Sequence, residues 1–187
     1  MSTQAVSDLV AKLKGVMAAP GEPAEIAARV AALAQPLAED TSWIEPRCFD
    51  GNEEQGFAVT ILHEEPDHTL LVETVCWLPG RGVAPHDHQT WGVVIGLEGD
   101  ERNVNWRRLD DGSREGFAEL VVDEEIVVTR GDTVLLMPDD IHSVRNEGET
   151  PSLSLHIYGR SLAHVARSEF DPIAKTQRPC PQRVRAR

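Results

Sequence analysis

The chain has 187 residues, 41% hydrophobic and 26% charged, the balance of one ordinary globular domain whose core needs no disulfide staples. Lys and Arg number 18 and Asp and Glu 31, a formal charge of −13; this excludes non-specific binding to nucleic acid or an anionic membrane and repels an anionic ligand unless one local site is positive. The three cysteines (Cys48, Cys76, Cys180) form no CxxC pair, no apolar run reaches the ~20 residues of a membrane span, and the N-terminus has no basic, apolar-cored leader, so a reducing cytoplasm is the expected setting.

Residues 1–45 are predicted to be a helical layer. Leu9, Val10, Leu13 and Val16 recur at helical spacing, Pro20-Gly21 and Pro23 break the pattern, and Ile26, Val30, Leu33 and Leu37 form a second stripe. From residue 57 onward, Val, Leu, Ile and Thr runs alternate with Gly, Pro and Asp punctuation. Strands are predicted at 57–63, 69–77, 91–98, 102–108, 117–121, 125–129, 133–137, 142–146 and 152–158. So many short strands with turn signals between them imply an all-β sandwich or barrel over residues 46–171. The segment GRSLAHVARSEFDP is predicted to leave the barrel as a helix. Residues 172–187, with four arginines in the last ten, are expected to be an extended tail. The acidic runs Asp110-Asp111 and Asp123-Glu124-Glu125 read as solvated loops.

The chemistry lies in the seven histidines. His86 and His88 form an HxH pair, and in extended chain residues i and i+2 project to one face, so two imidazoles can approach one cation. Ser154, His156 and Tyr158 share a strand face in the same way, and Tyr158 is the single tyrosine. Pointed inward, this row forms a hydrogen-bonded chain in which serine orients the imidazole and the imidazole polarises the phenol. His63 is a possible pocket neighbour, His68 reads as solvated, His164 as packing or surface, and Trp91 as barrel packing.

Gly80, His86, His88, Gly92 and Gly99 resemble the first motif of the cupin superfamily. Gly131-Asp132 through Pro138, His142 and Asn146 resemble its second motif, with the proline one place late and Asp139 where a glycine is common. The resemblance implies a mainly β fold, a double-stranded β-helix barrel of jelly-roll type with short N-terminal helices. It also implies a metal held by His86, His88 and His142. Gly92 stands where most metal cupins carry a glutamate ligand, so the ligand set is three neutral histidines. The common non-haem iron site has two histidines and a carboxylate.

Three histidines, no glutamate and the S-x-H-x-Y row together resemble the cysteine dioxygenase type I family of thiol dioxygenases. That family uses Fe(II) and O2 to convert a small thiol carboxylate to a sulfinate. Gly92 rules out the cysteine–tyrosine cross-link of mammalian members. The family's early-strand arginine, 26 residues before the first ligand, maps to Thr60, in a segment without arginine. The arginine that bacterial 3-mercaptopropionate dioxygenases place nine residues after the tyrosine maps to Arg167, so the resemblance is closest there. The expected partners are a 3-mercaptopropionate-like thiol (or cysteine or mercaptosuccinate) and O2, with no nucleic acid and no membrane. Monomer and small homo-oligomer both stay open. The alternatives are a three-histidine cupin dioxygenase acting on a β-diketone and a non-catalytic cupin that binds a small ligand.

Overall fold

The computed structural model describes residues 3–181 and 185–186. Three helices lead the chain: α1 (Gln4–Met17), α2 (Pro23–Ala34) and the single turn α3 (Pro36–Glu39), with a 3-10 turn at Pro46–Phe49. The strands are β1 (Phe57–Glu64), β2 (Leu71–Trp77), β3 (Gly82–His86), β4 (Gly92–Glu98), β5 (Glu101–Arg108) and β6 (Leu120–Val128). They continue with β7 (Thr133–Leu136), β8 (Ile141–Arg145), β9 (Ser152–Tyr158), β10 (Ser168–Asp171), β11 (Thr176–Pro179) and β12 (Arg185–Ala186). One sheet runs β12-β1-β2-β9-β4-β7 and the other β11-β10-β3-β8-β5-β6. All pairings are antiparallel except β1 with β12. This is the expected mainly β, jelly-roll barrel with short N-terminal helices.

Side-chain alternation explains the layering. Val72 and Cys76 of β2, Val93, Ile95 and Leu97 of β4, and Leu153, Leu155 and Ile157 of β9 turn outward. They meet Leu9 and Leu13 of α1 and Ala27, Val30 and Ala34 of α2 in one buried cluster. The intervening residues of the same strands turn into the barrel. The alanines of α2 let the helix lie close against the sheet. Polar pins fix the layer: Gln35 Nε2 donates to the Gly131 carbonyl at 2.7 Å, and Arg130 Nε donates to the Ala38 carbonyl at 2.9 Å.

Several expectations need correction. The predicted strands 117–121 and 125–129 are one strand, β6, and the run Asp123-Glu124-Glu125 lies in its middle rather than in a loop. Cross-strand pairing accounts for this, with Arg102 bonded to Glu125 at 2.6 Å and Arg107 to Asp123 at 3.2 Å. The segment after Tyr158 is turns and loop, not helix, because residues 168–171 join the open edge of β3, with Glu169 opposite His86. The tail expected to be extended instead turns back as β11 along β10. Its residues 182–184 and Arg187 lie outside the described residues, as do Met1 and Ser2.

Leu13 is fully buried where α1 meets the sheet. Leu13→Ala is expected to cost about 2–5 kcal/mol, read as a lower midpoint in urea unfolding.

Candidate metal centre

His86 is the last residue of β3 and lies opposite His142 of β8. His88 lies two residues past the strand end and is held from two sides. Asp87 accepts the Ser168 N–H on Oδ1 at 2.8 Å and donates its own N–H to the Ser168 carbonyl at 3.1 Å. Gln89, in the left-handed region at φ 53, donates its N–H to the Pro138 carbonyl at 3.0 Å. The two sequence motifs are thus tied together by backbone. The ring centroids of His86, His88 and His142 are 4.7–5.0 Å apart, and one nitrogen from each lies within 4.8 Å of the others.

The electrostatics match a metal-binding role. His88 and His142 are 1% and 2% exposed, and burial holds both well below the usual imidazole range, so both are neutral with a lone pair available. His86 is half-buried and donates Nδ1–H to the Ala84 carbonyl at 2.9 Å, which leaves Nε2 as its lone-pair nitrogen. Nδ1 of His88 and both nitrogens of His142 are buried with no hydrogen-bond partner. Such orphaned atoms cost about 1–3 kcal/mol each, and a cation among the three rings would offset that cost at one nitrogen of each ring. Three neutral imidazoles suit a divalent first-row metal. Among the described residues, no carboxylate joins this ligand cluster.

Gly92 accounts for the missing carboxylate. It begins β4 and pairs in register with Tyr158. A Cβ at Gly92 would lie 2.9 and 3.0 Å from two carbons of the Tyr158 ring. The phenol therefore occupies the space a ligand side chain would need, and its ring centroid is 5.1 Å from that of His88. Ser154 Oγ lies 2.9 Å from His156 Nε2, and His156 Nδ1 lies 2.8 Å from the Tyr158 hydroxyl. Burial pushes His156 down to about 3, so the ring is neutral, with one nitrogen a donor and the other an acceptor. The chain of hydrogen bonds therefore has a direction.

The three histidines, His156 and Tyr158 line one cavity of about 60 Å³. One water needs roughly 10–15 Å³ on this measure, so the cavity suits a ligand of a few heavy atoms. Phe57, Val59, Val75 and Trp77 form its apolar wall, and Arg167, half-buried on the loop before β10, lines it as well. Thr60, by contrast, is not a pocket residue. Alternation on β1 turns Val59 inward and Thr60 outward, where its hydroxyl donates to the Arg47 carbonyl at 3.4 Å. His63 bonds Glu65 at 2.7 Å and is not part of the wall either. Trp91 packs in the outer core, with Gly159 seated against its indole.

No protein-family model matches the chain, and no curated protein matches it. Solved structures overlap it in part. A recombinant oxalate oxidase in complex with glycolate is 21% identical, at TM-score 0.46 over 59% of this chain and 55% of that one. The cupin_2 domain of an XRE family transcriptional regulator from Enterobacter cloacae is 17% identical, at TM-score 0.40 over 56% and 96%. A Bacillus subtilis oxalate decarboxylase with Mn(II) centres is 22% identical, at TM-score 0.41 over 54% and 24%. The chain spans little more than half the length of the oxalate oxidase, and these overlaps are silent on activity.

Two pocket residues and one buried acid outside the pocket escape a sequence reading. Glu73 lines the cavity from β2 at 2% exposure; the available signal was an acid inside the apolar run LVETVCW. Cys180 also lines it, brought there by its N–H bond to the Arg167 carbonyl at 2.9 Å. Glu101, at the foot of β5, is 2% exposed and faces Ser154, Ser152 and the Trp77 indole. It sits between Asp100 and Arg102 in the sequence, so nothing marked it as internal.

Gly92→Ala is expected to cost about 1–3 kcal/mol in urea unfolding, because the Tyr158 ring must give way. Burial also pushes the Glu101 carboxyl up to about 7. A group raised in the folded state costs stability as pH climbs from the ordinary carboxylate range to that value. Glu101→Gln should therefore unfold like the wild type at pH 4 and be more stable by up to about 3 kcal/mol at pH 8. Denaturant titrations at the two pH values check this, and a variant less stable at pH 8 contradicts it.

Proposed function

We propose that the chain is a non-haem Fe(II)-dependent thiol dioxygenase acting on a small thiol carboxylate of the 3-mercaptopropionate type. The observation that carries the reading is the neutral His86–His88–His142 cluster with Tyr158 packed into the space beside Gly92 and steered by His156. Bound by the three histidines, Fe(II) would supply acidification of the thiol and activation of dioxygen. The overall reaction balances as RSH + O2 → RSO2⁻ + H⁺, with sulfur oxidised and both oxygen atoms retained in the sulfinate.

The residues of the chain do the rest. Arg167 stays charged at any working pH and can hold a carboxylate bidentately. The apolar wall of Phe57, Val75 and Trp77 keeps water from the sulfur side. The Tyr158 hydroxyl, fixed through His156 and Ser154, presents one hydrogen bond to the substrate. Glu73 places a buried carboxyl in the same wall.

An oxygen electrode and mass spectrometry of the product test this on iron-loaded protein. Thiol and O2 are expected to disappear one to one, with a sulfinate as product. Tyr158→Phe should retain iron and lose ~10²-fold or more in kcat. Arg167→Ala should raise KM about 10-fold or more, from loss of a charge-assisted contact worth about 1.5–3 kcal/mol. If 3-mercaptopropionate, cysteine and mercaptosuccinate all leave O2 untouched, the reading fails.

A further inference from the structure

Outside the barrel, a second group of ligating side chains converges from distant parts of the chain. Glu64 ends β1, His68 lies in the turn that leads to β2, and His164 lies in the turns that follow β9. One ligand atom from each lies within 4.8 Å of the others. His68 Nδ1 is 2.9 Å from Glu64 Oε1. The His68 and His164 rings stack with centroids 3.5 Å apart and planes 13° from parallel.

Two features argue that this is more than a surface contact. Three donors of two chemical kinds, from segments far apart in the sequence, converge at one point; a cation there would replace the His68–Glu64 hydrogen bond, and each ring would turn its in-plane lone pair toward it. His68 also holds a left-handed backbone at φ 64, rarely adopted by a residue with a side chain, and that conformation sets its ring over His164. Backbone bonds fix the same approach: the Ser161 N–H donates to the His68 carbonyl at 3.0 Å, and the His164 N–H donates to the Ser161 carbonyl at 2.9 Å. The neighbouring acid, Glu65, is engaged elsewhere, with Lys14 and His63 each 2.7 Å away. Glu64 Oε1 is the carboxylate oxygen that accepts from His68.

We propose that Glu64, His68 and His164 form a second metal site, for a borderline divalent cation of the zinc class. Two imidazoles and one carboxylate are a donor set for such ions. The site shares no residue with the barrel cluster and stands independently of the proposed activity. Its consequence is mechanical. Arg167 lies three residues beyond His164, so a cation joining His164 to the β1–β2 turn staples down the loop that carries the arginine into the cavity.

The test uses full-length protein with the barrel site removed by His86→Ala and His88→Ala, so that its outcome bears on the outer site alone. Zinc binding is measured by isothermal titration, with cobalt(II) absorption as a second readout. This double variant is expected to take up one zinc per chain, and hydrogen exchange over residues 159–167 is expected to slow on binding. Adding His164→Ala should abolish uptake, and adding Glu64→Gln, which keeps the side-chain shape, should weaken it at least 10-fold. His63→Ala should leave it unchanged. Circular dichroism confirms that each variant is folded. No uptake by the double variant, or undiminished uptake after His164→Ala, overturns the proposal.

Discussion

Strand β9 is buried on both faces, and the rest of the molecule is arranged around that constraint. Leu153, Leu155 and Ile157 point outward and must be covered, which is the task of α1 and α2. Ser154, His156 and Tyr158 point inward and must be hydrogen-bonded, which they achieve with one another. A sheet with one solvated face needs neither the helical layer nor the relay. Because β9 lies between β2 and β4, the same alternation brings Glu73, Val75 and Gly92 to the cavity side. The helical layer therefore contributes to the site without touching it, by fixing the strand that presents the tyrosine.

Charge is handled locally rather than globally. The chain carries −13, yet the residues proposed to meet a cation are neutral imidazoles kept so by burial. With no carboxylate in that ligand cluster, a divalent ion bound there would retain its full charge toward an anionic ligand. Arg167 adds a second positive group at the same cavity. The surface surplus is screened beyond ~8 Å at physiological salt, so an anionic ligand that reaches the cavity meets the local field. Gly92 serves this arrangement by making room for the phenol.

Much of this was legible in the sequence, for identifiable reasons. Period-two alternation in SLSLHIY and helical periodicity in the first forty residues are local signals, and both elements formed as expected. His86 and His88 were expected side by side from their HxH spacing, and His142 beside them from the resemblance, and the three rings do meet. Thr60 was misplaced because counting back from His86 does not reveal which face of β1 a residue occupies, and the strand carries a bulge between Ile61 and His63. β3, β10 and β11 are too short to show a period, and they form because neighbouring edges need partners. The stacked pair His68–His164, Glu101 against Ser154, and Cys180 in the cavity wall are contacts between distant segments, invisible before the chain is folded.

The central claim is that three neutral histidines hold a metal open to a thiol. X-ray absorption at the iron edge tests it most directly, on anaerobic iron-loaded protein before and after addition of 3-mercaptopropionate. The account predicts imidazole scattering without a sulfur ligand at first and a new sulfur ligand after addition, with the imidazole signal reduced in His142→Ala. A carboxylate-rich first spectrum, or no sulfur ligand at saturating thiol, would contradict it.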